Sequence, residues 1–558
     1  MRASSVQDGL TGFAVAGSYV VLLGWDMSEV DIKTNEVLGF GIQRTRHSDG
    51  EVIWLTGMKT FKSVDPDPDL GVPVSTFRHP IQSFQWADYT ASPGQTYTYR
   101  VVAMQAPAGA LLQGANVSLT VTTESVDQGT HAVHFNRGAI ASQEYARRFQ
   151  NLKPNEVGQS AYDWLSRGLL ESLERFIAQS DSGDELHGAF FEFKNSRVYA
   201  ALKAAKNRGV TVKILYDGDT QRESNETHLA DSGIKSLTKA RTKSGRYAHN
   251  KFVVWRSSGT SQAVWTGSTN LSENGVFGHS NNAHIVRDQP IAEQYELYWQ
   301  LLNRDLTRKP TATEAEQLTS APPTPWTAET VAVFSPRLTL DALDWYADLT
   351  KATARGLFAT FAFGMNERFV EAYDQQDDVL RFALMEKKGN GSQYAQQAGE
   401  IDRIRKLPNV TVSVGHHIEL NAFDRWLAEI DRVVDEAHVL YVHTKYMLID
   451  PLGDEPVVIV GSANFSAAST DTNDENMLVI RGNQGVADIY LGEFMRLFSH
   501  YAFRESLRFK GATSPAAALA RKHLIEDASW VDGADGPQSG YFVPGSDRTL
   551  RRRYFSGQ

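Results

Sequence analysis

Two short segments of this 558-residue chain repeat each other at a fixed distance, and no other feature restricts the fold as strongly. One reads His249-Asn250-Lys251, then Gly267-Ser268-Thr269-Asn270-Leu271-Ser272. The other reads His443-Thr444-Lys445, then Gly461-Ser462-Ala463-Asn464-Phe465-Ser466. His and Gly stand 18 residues apart in both, and every element is displaced by 194 residues. The same shift sets Asn281 opposite Glu475 and Asn282 opposite Asn476. Self-similarity at a fixed period marks a duplicated unit. A purely structural duplication retains apolar spacing and the glycine, and has no reason to retain His, Lys, Ser and Asn.

The texture around the repeat is that of alternating strands and helices. Residues 186–193 read as a strand, 196–207 as a helix ended by Gly209, and 210–216 as a strand closed by Asp217-Gly218-Asp219. A similar set follows, with strands at 357–363, 381–385 and 410–414 and a helix at 366–373. Helices are also expected near 295–302 and 490–498, after each repeat. This β-α-β pattern predicts an α/β fold with mostly parallel sheets. Residues 308–325, with Lys309-Pro310 and Ala321-Pro322-Pro323-Thr324-Pro325, have a linker's composition. The C-terminal segment, punctuated by Gly and Pro up to Arg551-Arg552-Arg553, reads as a solvated tail.

The first 126 residues differ. Short alternating runs at 18–25, 38–45, 51–55, 96–104 and 116–123 are separated by turn residues such as Asp49-Gly50 and Pro93-Gly94, with no helical pattern between them. An all-β sandwich is expected. Residues 92–101 (SPGQTYTYRV) and the early Trp25 resemble the tyrosine-corner approach and the core Trp of fibronectin type III domains.

Each copy of the repeat supplies an imidazole, an ammonium, a hydroxyl and a carboxamide. Strand alternation puts His and Lys of H-x-K on one face, and G-S-x-N follows the next apolar run at a strand end. If the halves pack about a pseudo-two-fold axis, two of each group converge. Two lysines and two amides suit an anion with several oxygens, best a phosphodiester. Two histidines permit covalent catalysis, one attacking phosphorus while the other protonates the leaving oxygen and later activates water. The lysines supply the positive charge, so no metal or cofactor is expected.

These segments resemble the paired HKD motifs of the phospholipase D superfamily, and residues 441–450 (YVHTKYMLID) match H-x-K-x4-D in full. The resemblance covers roughly residues 130–510. It implies a two-lobed α/β fold and metal-independent phosphodiester cleavage through a phosphohistidine. The expected organisation is a sandwich (1–126), a first lobe (127–310), a linker (311–325) and a second lobe with its tail (326–558). Catalytic roles are carried over to His249, Lys251, Asn270, His443, Lys445, Asn464 and Glu475, and substrate-binding roles to Ser268, Ser462 and Asn281. The first copy departs twice, with Arg256 opposite Asp450 and Asn281 opposite Glu475. Each Glu or Asn is expected beside the histidine of its own copy. A carboxylate at His443 then holds a proton ready, while an amide at His249 leaves a neutral nucleophile.

Composition narrows the rest. The chain has no cysteine, which excludes disulfides, thiolate metal sites and cysteine nucleophiles. No run of eighteen apolar residues is present, and 14–23 reads as a strand rather than a signal peptide; the compartment stays open. A net charge of −10 argues against non-specific coating of nucleic acid and favours phospholipid at a membrane surface as substrate, with possible transfer to alcohols. Alternatives are a metal-independent nuclease and a catalytically inert adhesion or targeting protein. Each chain carries both histidines, so a monomer suffices. His416-His417, Asp217 with Asp219, Glu192, Arg355, Trp326 and residues 423–427 are weaker candidates for shaping the cleft.

Overall fold

Alternation in the first 126 residues builds two four-stranded antiparallel sheets. One runs Arg2–Gln7, Leu10–Ala16, Val21–Asp26, Gln85–Asp88; the other runs Leu112–Thr122, Thr96–Gln105, Val37–Arg46, Val52–Trp54. Trp25, Phe40, Tyr97 and Tyr99 fill the space between them, all fully buried. The Tyr97 hydroxyl accepts from the Ser92 backbone N–H at 3.0 Å. One short helix, Glu29–Thr34, does interrupt the strands; Ser28 caps it, its Oγ accepting from Asp31 N at 3.0 Å. The computed structural model describes residues 1–68, 72–127, 129–138, 142–150, 152–388, 394–415, 442–509, 523–533 and 539–558.

The repeat forms two lobes of α/β class, each around a seven-stranded sheet. The first sheet runs His131–Phe135, Asn282–Val286, Thr260–Gly267, Lys251–Ser257, Glu185–Phe190, Thr211–Asp217, Thr238–Arg241. The second runs Thr330–Ser335, Glu475–Arg481, Val457–Gly461, Tyr446–Ile449, Gly356–Phe361, Leu380–Met385, Val410–Val414, in the same spatial order. The expected parallel arrangement holds only for the last three strands of each sheet. The other four pairings are antiparallel, so both sheets are mixed. For one of these pairings, Lys251–Ser257 with Thr260–Gly267, the cause is local: Ser258 and Gly259 both take positive φ (52° and 77°) and close a two-residue hairpin, which only an antiparallel partner can follow.

Helices cover the sheets as the pattern predicted. Ser196–Asn207 begins where Asn195 Oδ1 accepts from Arg197 N (3.0 Å) and Val198 N (3.2 Å), and stops before Gly209 at φ 94°. After each repeat comes a long helix, Gln289–Asn303 or Gln484–Phe509. Tyr490 and Phe494 of the second pack with Phe135 of the first lobe and Tyr446 and Phe358 of the second. One apolar core thus joins the lobes; each fully buried ring contributes about 1.5–3 kcal/mol.

Two expectations fail outside the lobes. Residues 308–318 are not a linker but a helix, Arg308–Leu318, whose Thr311, Ala312 and Ala315 are buried. The C-terminal segment is not a solvated tail either. His523–Leu524 pairs with Thr60–Phe61, and Trp530 enters the sandwich core against Phe40 and Phe84, its Nε1 donating to Val37 O at 2.8 Å. The final helix, Asp547–Phe555, runs so close to Gly24 that a Cβ there would meet Phe555 O at 1.8 Å, and Arg552 pairs with Asp26. Arg552 finds its partner in a carboxylate of the sandwich and Arg551 in Asp547 of its own helix, which composition alone did not reveal.

Candidate active site

The site lies where the strand ends of the two lobes cross. Ala248, just before the first motif histidine, bridges to Asp474, and Val442, just before the second, bridges to Ser280. His249 N donates to Asp474 O (3.0 Å) and Asp474 N to Tyr247 O (2.9 Å); His443 N reaches Ser280 Oγ at 3.3 Å. Each histidine therefore lies beside the segment that follows G-S-x-N in the opposite lobe. His249 Nδ1 is 2.8 Å from Glu475 Oε2, and His443 Nδ1 is 2.8 Å from Asn281 Oδ1.

This crossing overturns the expected pairing of each histidine with its own copy. Sequence spacing fixes the face on which a side chain lies but not which lobe supplies its neighbour. The carboxylate belongs to His249 and the amide to His443. The proton-holding role argued from a carboxylate at His443 loses its basis.

The remaining motif residues hold this arrangement. Lys251 and Lys445 are fully buried, their Nζ atoms donating to His249 O (2.6 Å) and His443 O (2.5 Å). Ser268 Oγ lies 2.8 Å from Asn281 Oδ1, and Ser462 Oγ donates to Glu475 Oε2 at 2.6 Å. The structure thus sets both serines, buried, behind the groups that orient the histidines rather than at the open face. Gly267 and Gly461 are required by approach: a Cβ would stand 2.3 Å from Asn282 O and 2.2 Å from Asn476 O. Asn270 and Asn464 each keep a buried Oδ1 with no hydrogen-bond partner, which is unusual unless a ligand completes it.

The electrostatics are those of a buried cluster of basic groups. Burial, then the nearby Lys445, His279, Lys251 and His249, hold the His443 ring well below the ordinary histidine range. Burial, then Lys251, holds Lys445 well below the lysine range. Burial brings Lys251 down to about 8 against the pull of Glu475, Glu192 and Asp217. His249 is also lowered by burial, opposed chiefly by Glu475. Four basic groups thus lie around one region, and an anion among them would oppose each shift.

Several contributors carry no motif signal, or read from sequence as turns. Asp217 Oδ2 accepts from Ala248 N at 2.9 Å; Glu386 Oε2, at the matching strand end, accepts from Val442 N at 2.8 Å. Each carboxylate fixes the backbone just before a motif histidine. The signal was a carboxylate closing the middle parallel strand, hidden by the change from Asp to Glu. Asn473 Nδ2 donates to Glu475 Oε1 at 3.2 Å, and at the matching position in the first lobe the His279 ring lies 5.6 Å from that of His443. Phe191 meets the His249 ring edge-on at 4.8 Å.

Asp450 accepts from the backbone N–H groups of Ala354, Arg355 and Gly356 (3.0, 2.7 and 2.9 Å). Arg256, its counterpart, instead donates to Glu185 Oε1 at 2.7 Å, so the first lobe keeps the tie with different chemistry. Arg355 serves that tie, and Glu192 faces Lys251. Trp326 packs against Trp345 and beneath Arg481, not in the cleft. His416-His417 and residues 423–427 lie outside the described residues.

Residues 173–302 and 411–498 match the family model described as cardiolipin synthase, PLD-like domain. No curated protein matches the chain. Among solved structures, the chain is similar to a polyphosphate kinase from Porphyromonas gingivalis (12% identity, 57% of this chain, 43% of that one, TM-score 0.37). It is also similar to a phosphatidylserine synthase from Haemophilus influenzae (12% identity, 63% and 90%, TM-score 0.40). A third is the phospholipase D family member Nuc from Salmonella typhimurium (14% identity, 31% and 94%, TM-score 0.23). The chain spans less than half of the kinase's length. The two matched segments contain both copies of the repeated motif.

Proposed function

We propose that this protein cleaves a phosphodiester of phospholipids through a phosphohistidine on His249. The observation that carries the reading is the crossed pairing of His249 with Glu475 and of His443 with Asn281. Glu475 accepts from His249 Nδ1–H, which leaves the Nε2 lone pair free to attack phosphorus. The N–P bond forms as the bond to the leaving oxygen breaks, and that oxygen takes a proton from His443 Nε2. The phosphorylated ring is cationic, and the adjacent carboxylate stabilises it. Asn281 orients His443 by accepting from Nδ1–H without adding charge; the bound phosphodiester anion offsets the burial of the ring, which takes a second proton on Nε2 and gives that proton to the leaving oxygen. His443 then accepts a proton from water, whose oxygen attacks phosphorus and releases His249; an alcohol in place of water gives transfer.

The assignment of His249 as nucleophile and His443 as acid, then base, thus stands on the opposite argument from the one the sequence suggested. Lys251, Lys445, Asn270 and Asn464 bind the phosphoryl oxygens, with the lysines neutralising charge that develops on them. Ser268, Ser462, Glu475 and Asn281 orient the rings. No cofactor enters this scheme, and a monomer suffices.

The lipid substrate is supported by the description of the matching family and by the net charge of −10. A second reading, a nuclease, is favoured by one feature: Phe191 and Tyr247 flank His249 and offer rings on which a base could stack. For residues 1–126 we propose a fibronectin type III-like support, on the strand order and the Tyr97–Ser92 contact.

The test is a panel of phospholipids and of single- and double-stranded DNA, incubated with the protein and with His249→Ala. Phosphatidate or free head group from lipid, absent with the variant, supports the first reading. Cleaved DNA alone supports the second, and no product from any substrate removes both.

A further inference from the structure

An amide that orients a catalytic ring must itself be oriented. Glu475 presents equivalent oxygens to His249, but Asn281 can face His443 with either an oxygen or an NH2 group, and only the oxygen accepts from Nδ1–H. Asn281 Nδ2 donates to Gly275 O at 2.7 Å, and Ser268 Oγ meets its Oδ1 at 2.8 Å. Ser268 is in turn held by Asn282, whose N donates to Ser268 Oγ (3.1 Å) and whose Oδ1 lies 2.9 Å from that hydroxyl.

Beyond Asn282 the bonds continue to the edge of the sheet. Asn282 Nδ2 donates to the Tyr490 hydroxyl (3.1 Å), which lies 3.1 Å from His284 Nδ1. His284 Nε2 lies 2.9 Å from His131 Nδ1. His131 Nε2 faces Thr330 Oγ1 at 3.3 Å and Glu329 Oε1 at 3.5 Å, and the Glu329 side chain is 55% exposed.

With Asn282 Nδ2 toward Tyr490, and with the Ser268 hydroxyl proton shared between Asn281 Oδ1 and Asn282 Oδ1, donor counting sets the protons from Tyr490 outward. Tyr490 accepts from Asn282, so its single proton goes to His284 Nδ1. The His284 proton therefore sits on Nε2 and goes to His131 Nδ1. The His131 proton sits on Nε2 and faces Thr330 and Glu329. All the bonds point outward. Reversing a single bond sets donor against donor, and reversing all of them requires the Asn282 amide to turn, with NH2 at Ser268 and the oxygen at Tyr490. Burial holds the His284 ring well below the ordinary histidine range, with His131 and His134 acting the same way, so it stays neutral. Among the described residues the second lobe has no such series: Leu478 stands opposite His284, and Thr266 Oγ1 and the Tyr295 hydroxyl donate to Asn476 Oδ1 at 2.5 and 3.0 Å.

We propose that Tyr490, His284 and His131 form a directional hydrogen-bond chain that fixes Asn282 and Ser268, and through Asn281 holds His443 with its proton on Nδ1. His284 and His131 are positioning residues for the acid of the reaction. The kinetic part of this inference rests on the phosphodiesterase reading; the proton positions do not.

Two measurements test it on the full chain. With 15N-labelled histidine, two-bond correlation spectra give each ring's tautomer. The chain requires Nε2–H at His284 and His131 and Nδ1–H at His443; Nδ1–H at His284 overturns it even if the protein cleaves nothing. In the cleavage assay, His284→Leu should lower kcat about tenfold with KM within about twofold, while His284→Gln should stay within about threefold of the parent. Gln keeps an oxygen for Tyr490 and an N–H for His131, so this rescue separates positioning from packing. Tyr490→Phe, which removes only the hydroxyl, should match His284→Leu. Unchanged kcat in His284→Leu, or equal loss in Leu and Gln, contradicts the chain. Absence of activity in the parent protein counts against the phosphodiesterase reading alone, since the spectra still decide the proton positions.

Discussion

The two lobes share a strand order and a set of polar contacts, and differ in several of the side chains that make them. Both place a lysine two residues after the histidine, both bury the serine of G-S-x-N behind the histidine's partner, and both use a strand-end carboxylate to fix the preceding backbone. The carboxylate is Asp217 in one and Glu386 in the other. Asp450 binds three backbone N–H groups, where Arg256 pairs with Glu185. Duplication has retained positions in space while side chains changed around them. The crossing of the lobes turns one of those changes, Glu475 against Asn281, into a difference between the two histidines.

The largest effect should come from removing either ring. His249→Ala and His443→Ala should each lower turnover by about 10²–10⁴-fold, measured on whichever phosphodiester the panel identifies. An inert protein would show no change. Next, exchanging the partners tests the asymmetry. Glu475→Gln should slow formation of the covalent intermediate by about 10–100-fold in single-turnover assays, more than Asn281→Asp does, because a cationic ring loses its counter-charge. Equal effects would mean the histidines are interchangeable.

A smaller effect concerns pH. Lys251 is charged below about 8 in the empty site and binds an anion only when charged. The kcat/KM profile should therefore fall as pH rises through about 8, and Lys251→Met should remove that limb along with most activity. The smallest effect is on folding. Asp450→Ala should destabilise by about 1–3 kcal/mol in denaturant titration, because it leaves three backbone donors unbound. Arg256→Met should cost below about 1 kcal/mol, since its ion pair with Glu185 is partly open to solvent.

The comparison also shows where sequence reading succeeds. The doubled polar motif located the site because identical side chains at identical spacing need a shared reason. Strands and capped helices were legible because alternation and cap residues act locally: Asn195 caps its helix just where the pattern placed its start. Relations across the chain were not legible. Nothing in the spacing of His443 indicates that Asn281 rather than Glu475 lies beside it. Arg308–Leu318 reads as a linker until Arg241, bound to Asp474 and to Thr311, shows what its buried face meets. Trp530 reads as part of a tail until the sandwich core receives it.

The central claim is that His249, backed by Glu475 from the opposite lobe, carries the phosphoryl group. The most direct measurement is to quench the reaction of a labelled phosphodiester with His443→Asn, in which breakdown of the intermediate is slowed, and to map the label by mass spectrometry. The account expects label on His249 alone. Label on His443 in the reciprocal variant His249→Asn, with none on His249 in the first, contradicts it.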